Sequence, residues 1–239
     1  MNEVERDGLR MLAFPALDAV GLRCAVSTRP TDIRQPADRE RFLRACGADP
    51  ERTASPRQVH HADVVRVDAP PDPQPDADGL VTDVAGLALL LRAADCSLVV
   101  VADPERRAVG VAHAGWKGSA RGVVVNLVKA MHEQFGCRPS RMAAAIAPTI
   151  RTPCYEVGPE VPAAFLRSRD WTVEYLHHRQ GRLYFDLEGV NARFLEECGI
   201  PVKSIARTSL CTFERDDLLW SYRRDGAGGG HQGLVAFWL

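Results

Sequence analysis

The chain is 239 residues long, 46% hydrophobic and 26% charged, with a formal net charge of −1 at pH 7. That length supports a substantial core, in one large domain or two intimate subdomains. A charge so close to zero gives no basic field, so nucleic acid and anionic membranes are excluded as expected partners, whereas a local Arg/Lys cluster for a small anion is not.

No stretch approaches the roughly 20 apolar residues of a membrane-spanning helix. The N-terminal MNEVERDGLRML lacks the apolar centre of a signal peptide, and a cytoplasmic protein is expected. The seven cysteines, Cys24, Cys46, Cys96, Cys137, Cys154, Cys198 and Cys211, are scattered, odd in number and contain no C-x-x-C pair. This is neither a disulfide framework nor a zinc ribbon, and it suits a reducing compartment.

In chain order, GLRCAVSTRP predicts a strand closed by Pro30, and PADRERFLRACGADP a short helix ended by Gly47 and Pro50. RQVHHADVVRVD reads as a strand with Val59, Val65 and Val67 on one parity, which sends His60 and His61 to opposite faces. APPDPQPDADG is extended and too proline-rich for a core. Three apolar runs follow, GLALLLRAADC, SLVVVADP and AVGVAHAG, and the tight-turn sequence DPERR pairs the last two antiparallel.

After GWKGSARG the period changes: Val124, Leu127, Val128, Met131 and Phe135 recur at helical spacing, with Gly136 as the C-cap. SRMAAAIAPTI predicts a strand, and Pro159 opens a short helix. Asp186 caps a helix through LEGVNARFLEEC that Gly199 and Pro201 stop. VKSIARTSLC, LLWSYRRDG and GLVAFWL are expected to finish the chain as strands. Hairpin-spaced strands mixed with helices define an α+β class.

The chemistry concentrates at one rim of the predicted hairpin. Cys96 heads one apolar run and His113 ends the next, so folding about DPERR brings the two side chains together. Such a pair serves either as a nucleophile dyad, in which imidazole lowers the thiol's pKa, or as part of a metal site. His60, beside Gln58, is the candidate third ligand. One Cys and two His with an open fourth position form the pattern of a catalytic Zn²⁺, which brings the pKa of water to about 7.

RQVHHADVV, DADGLVTDVAGLALLLRAADCSLVVVADP, VGVAHAGWKGSARGVV, CYEVGPEV and CTFERDDLLWSYRRDG together resemble successive signatures of the YfiH/laccase-domain family, also called multicopper polyphenol oxidase or purine nucleoside phosphorylase. The resemblance runs from about Arg57 to the C-terminus. It implies one YfiH-like laccase domain over residues 1–239, with two intimate α+β subdomains in helix/sheet/sheet/helix layers and mainly antiparallel or mixed sheets. It also implies one Zn²⁺ on His60, Cys96 and His113, these same residues being catalytic.

The activities that the resemblance implies are phosphorolysis of adenosine, inosine, guanosine and methylthioadenosine, with adenosine deamination. The partners are then a purine nucleoside and phosphate, for a monomer or small homo-oligomer. Phosphorolysis needs cations for phosphate, and Lys117, Arg29, Arg57 and Arg223 are the candidates, with Arg224 read as solvated. Lys117 falls at an expected helix start, where backbone amides favour anions. Trp116 is a candidate wall for a purine, Tyr155 for the pocket lining, and Asp95 and Asp83 for proton handling. Cys154 reads as a buried structural thiol.

The chain departs from the family pattern in three places. His61 replaces a glycine, the usual N-terminal GGVS…SLNL is absent, and DGAGGG puts Gly230 where an arginine is expected. The zinc deaminase signature H-x-E with P-C-x-x-C is missing, as are the H-x-H pairs of a trinuclear copper centre. The alternatives are a copper-dependent polyphenol oxidase, an enzyme that edits nucleotide-linked cell-wall muropeptides, a metal-free Cys–His hydrolase, and a non-enzymatic binding protein.

Overall fold

A computed structural model describes residues 1–167 and 169–239. The strands of its first half are β1 (Asn2–Arg6), β2 (Leu9–Ala13), β3 (Leu22–Ser27), β4 (Thr53–Ala54), β5 (Val64–Arg66), β6 (Gly79–Thr82) and β7 (Ala88–Ala93). β8 (Ser97–Asp103), β9 (Ala108–Ala114), β10 (Ala143–Ile146), the hairpin β11 (Leu176–Arg179) and β12 (Arg182–Phe185), β13 (Ile205–Ala206) and β14 (Gln232–Trp238) follow. The helices are α1 (Pro15–Asp18), α2 (Pro36–Ala45), α3 (Trp116–Ala120), α4 (Val123–Phe135), α5 (Glu160–Leu166), α6 (Leu187–Glu197) and α7 (Tyr222–Asp225).

Two six-stranded sheets result, ordered β1-β2-β3-β14-β7-β4 and β13-β10-β8-β9-β6-β5. Both are mixed, since β4–β7, β5–β6 and β10–β13 pair parallel within otherwise antiparallel ladders. All seven residues of β8 are buried, because each of its faces meets apolar partners. Leu98, Val100 and Ala102 pack between the sheets with Leu89, Leu91, Leu234 and Ala236. Val99 and Val101 pack outward with Leu127, Val128 and Met131 of α4 and Val190 and Leu195 of α6. Phe42 and Leu43 of α2 cover the far face of the first sheet, against Met11, Leu90 and Val235. The layers are therefore helix, sheet, sheet, helix, as the α+β expectation has it. No helix of the described residues is long and apolar enough to cross a membrane.

The helices of the sequence reading form as expected. Gly136 closes α4 at φ +66, and the Asp186 carboxylate caps α6 by accepting from the Gly189 amide at 2.9 Å. The strand reading needs four corrections. β1, β2, β4, β6 and the hairpin β11–β12 lie where no strand was expected. RQVHHADVVRVD is extended only at Val64–Arg66, because the amides of Val59 and His61 both donate to one oxygen of Asp78 and bend the chain. In VKSIARTSLC only Ile205–Ala206 forms a strand, and Cys211 adds an isolated parallel bridge to Thr149.

LLWSYRRDG forms no strand either. Leu218 and Leu219 plug the inter-sheet core, and Ser221 caps α7. Arg224, expected to be solvated, instead gathers the carbonyls of Thr212, Phe213 and Leu219 at 2.7–2.9 Å and pairs with Asp225. The three central apolar runs also divide. β7 belongs to the first sheet and β8–β9 to the second, so residues 94–96 carry the chain across the seam.

Candidate functional site

Side chains alternate along a strand, and that fixes where Cys96 and His113 point. His113 shares the parity of Val109 and Val111, which face the seam between the sheets, and Cys96 packs against the same inter-sheet core. Register places Leu98 opposite His113 and Ser97 opposite Ala114, so the two candidate side chains emerge side by side where the seam ends. Asp95, at φ +88, makes the crossing turn. Its carboxylate accepts from Thr212 Oγ1 at 2.6 Å and the Arg223 amide at 2.7 Å, and its carbonyl accepts from the Ile150 amide at 3.0 Å. With its polar atoms engaged in this way, Asp95 braces the turn that presents Cys96.

His60 arrives from the other side on the bent loop, with φ +58. Two clamps hold that loop. Gln58 docks its side-chain amide on the backbone of Arg92, donating to the carbonyl at 2.8 Å and accepting from the amide at 3.0 Å, as a neighbouring strand would. Asp78, fully buried, takes the Val59 and His61 amides at 3.1 and 2.7 Å on one oxygen. Its other oxygen accepts from Nδ1 of His113 at 2.8 Å. His61 itself is exposed.

One donor atom each from His60, Cys96 and His113 lie within 4.8 Å of one another, and the imidazole rings of His60 and His113 meet edge-on at 4.8 Å between centroids. Gly115 makes this closeness possible: a Cβ there would stand 2.7 Å from Cys96 Sγ and 3.5 Å from Nδ1 of His60. Thiolate sulfur and imidazole nitrogen are donors that both Zn²⁺ and copper ions accept, and three of them leave a coordination position open. The carboxylate on Nδ1 of His113 leaves Nε2 as its free ligand atom, the usual outer support of a metal-binding histidine. The residues fit a metal ion.

Burial and neighbouring charge set the electrostatics, and at neutral pH His113 holds a proton that a metal ion would have to displace. Burial works against ionised Asp78, but hydrogen bonds from His113 and from the His61 and Val59 amides hold its carboxyl below the usual range. Burial likewise works against a proton on His113, yet Cys96 and Asp78 push its pKa up to about 9. Burial and the adjacent His113 lower His60.

These residues sit in a cleft of about 570 Å³. Lys117 and Arg223 line it, as do Trp116 and Tyr155. Lys117 lies 5.5 Å over the Trp116 ring, and Arg223 5.6 Å over that of Tyr155. Arg29 and Arg57 do not line it. Arg29 stacks on Trp220 at 4.2 Å and faces Asp225, and Arg57 forms a bidentate surface pair with Asp76. Asp83 is exposed beside Arg66.

The cleft also contains Arg92, Tyr222 and His231, none of them picked out from sequence. Among the described residues, no carboxylate pairs with Arg92, Lys117 or Arg223. Asp78 had a signal in DADG, but its partner His113 is 35 residues on, and only the β6–β9 pairing joins them. A second cluster, Cys154, Cys211 and Glu214, lies within 4.8 Å. Burial and the neighbouring Cys211 push the half-buried Cys154 thiol up to about 12, so it stays protonated.

An α+β sandwich thus gathers a thiol and two imidazoles, a donor set that fits a metal ion, in a cation-lined cleft. The chain belongs to the multi-copper polyphenol oxidoreductase laccase family, whose model matches residues 16–238. Purine nucleoside phosphorylase of Deinococcus radiodurans is 37% identical over 87% of this chain and 79% of its own length. Purine nucleoside phosphorylase SCO2081 of Streptomyces coelicolor is 39% identical over 85% and 81%. Adenosine deaminase RL5, from an unknown prokaryotic organism, is 31% identical over 77% and 74%. The crystal structure of the hypothetical protein YfiH of Bacillus licheniformis superposes with a TM-score of 0.88 at 26% identity, covering 98% of each chain. YlmD from Geobacillus stearothermophilus gives 0.88 at 25%, covering 100% of this chain and 98% of its own.

Proposed function

We propose that this chain is a zinc-dependent purine nucleoside phosphorylase that also deaminates adenosine. One observation carries the reading. A thiol and two imidazoles converge in the same cleft as Arg92, Lys117 and Arg223, cations without a carboxylate partner among the described residues. The names of the relatives support the same chemistry.

His60, Cys96 and His113 would hold the zinc, which would supply Lewis acidity at neutral pH. Asp78 fixes the tautomer of His113 and the loop of His60. Arg92, Lys117 and Arg223 bind phosphate by charge-assisted hydrogen bonds. Trp116, Tyr155 and Tyr222 offer flat faces to the purine. In phosphorolysis a phosphate oxygen bonds to C1′ as the C1′–N9 bond breaks. The electron pair leaves on the purine, which takes up the proton that the attacking hydrogen phosphate gives up, so that ribose 1-phosphate and the free base result.

Zinc is preferred to copper because one thiolate and two imidazoles with an open fourth position are the set of a catalytic zinc, and the sequence has no H-x-H pairs for a trinuclear copper centre. The same reading places the enzyme in the cytoplasm, where its seven thiols stay reduced.

The test is metal content together with phosphate-dependent release of hypoxanthine from inosine, for wild type and Cys96→Ala. About one zinc per chain, with zinc and phosphorolysis both lost in the variant, is expected. Zinc without phosphorolysis would move the reading to deamination or muropeptide editing. Wild-type protein without zinc, yet active and inactivated by the substitution, would favour a Cys96–His113 nucleophile.

A further inference from the structure

The glycine-rich segment after α7 is one of the places where the chain departs from the family pattern, and it offers little to the cleft. Of residues 226–231, only Ala227 and His231 line it. Gly230, where the family resemblance implies an arginine, is packed against Trp220: a Cβ at Gly230 would stand 2.5 Å from that indole. The functional side chain of this segment is therefore the next one along, the imidazole of His231.

Its placement is rigid. The His231 amide donates to Asp32 Oδ1 at 3.0 Å, and its carbonyl accepts from the Ile33 amide at 3.1 Å. The following Gln232 is bonded both ways to the backbone of Trp220, at 2.8 and 3.1 Å. Arg34 holds Asp32 in a bidentate pair and so fixes the anchor. In spite of this bracing, Nδ1 of His231 is buried with no hydrogen-bond partner among the described residues. That nitrogen is enclosed, so His231 offers the cleft it lines its other ring nitrogen, Nε2, which makes no hydrogen bond among the described residues.

The charges around the ring decide what kind of ligand atom Nε2 would meet. Burial, Arg34 and Arg92 disfavour a proton on His231 and lower its pKa to about 4, with Asp32 opposing and His113 adding to the effect. At neutral pH the ring is an uncharged imidazole, with one donor and one acceptor nitrogen. Phosphate is drawn to Arg92, Lys117 and Arg223. A neutral imidazole suits a group that is itself neutral and polar.

We infer that His231 is a specificity-determining residue, which hydrogen-bonds an uncharged polar group of the nucleoside, on its sugar or purine edge, and not the phosphate. The inference rests on the nucleoside reading above. It is tested on zinc-loaded protein by calorimetric binding of inosine without phosphate, and by steady-state phosphorolysis, for wild type, His231→Ala and His231→Gln.

The expected result is an inosine Kd and KM raised about 10-fold in the Ala variant, with partial recovery in Gln, which keeps a neutral donor and acceptor. The KM for phosphate stays within about 2-fold, and zinc content is unchanged. Repeating the titration with 2′,3′-dideoxyinosine and with hypoxanthine separates the sources: the His231 effect disappears with the dideoxynucleoside if the sugar is read, and persists with hypoxanthine if the base is. A rise in phosphate KM with unchanged inosine binding overturns the assignment, as does unchanged inosine binding alone. Wild-type protein that binds no inosine overturns the nucleoside reading itself.

Discussion

Nδ1 of His113 lies 2.8 Å from Oδ1 of Asp78, both side chains buried, while the second oxygen of the same carboxylate holds the amides that flank His60. One buried charge thus orients one candidate ligand directly and another through its backbone. Asp78→Asn keeps the shape but removes the charge that stabilises His113 as a donor to metal. The expected loss is about 10- to 100-fold in zinc affinity, read by competition with a chelator. Unchanged affinity in a folded variant would remove Asp78 from the site.

Gly115 is required by closeness rather than by backbone conformation, since its φ is −65. Gly115→Ala puts a methyl group 2.7 Å from Cys96 Sγ, inside any real contact, and the thiol must move away from the two imidazoles. Zinc retained after dialysis is expected to fall about 10-fold or more, with a thermal midpoint lower by only a few degrees. Full zinc occupancy in this variant would mean that the three donors do not share an ion.

Gln58 imitates a strand where the first sheet has run out. β4 pairs with β7 only through Ala88 and Leu89, and the Gln58 amide group takes over at Arg92. Gln58→Ala removes both hydrogen bonds and leaves the Arg92 backbone exposed to water. A destabilisation of about 1–2 kcal/mol is expected. The Arg92 amide should also exchange hydrogen faster, and zinc affinity should fall as the His60 loop loosens. Exchange at Arg92 that matches wild type would show that the clamp does not hold in solution.

The hairpin about DPERR, α4 and α6 were legible because their signals are local: a turn sequence, a 3.6-residue period, a cap. The same locality put Cys96 and His113 at one rim. Elements held by distant partners were not legible. His60 was assigned to a strand, yet its bend comes from Asp78. Arg57 and Lys117 look alike as cations, yet one is neutralised by Asp76 while the other lines the cleft. Nothing near Arg92 or His231 in the sequence shows that β7 and β14 are neighbours, which requires Gln232 to face Ala93 across 139 residues.

His231 carries a pH signature that stability measurements can read. Its pKa is about 4 in the folded protein against an ordinary 6.5, the depression coming from burial, Arg34 and Arg92. Between those values the unfolded chain takes up a proton that the folded chain refuses, so stability is full above pH 6.5 and falls as the pH drops toward 4. The interval is worth at most ~3 kcal/mol, and the partial exposure of the ring brings the expected effect to about 1–2 kcal/mol. Urea unfolding at pH 7 and pH 4.5 should show a smaller acid loss in His231→Gln than in wild type, by roughly that amount. Equal losses in the two proteins would mean that His231 takes up its proton near the ordinary pH, and that the ring is charged rather than neutral in acid-exposed cleft chemistry.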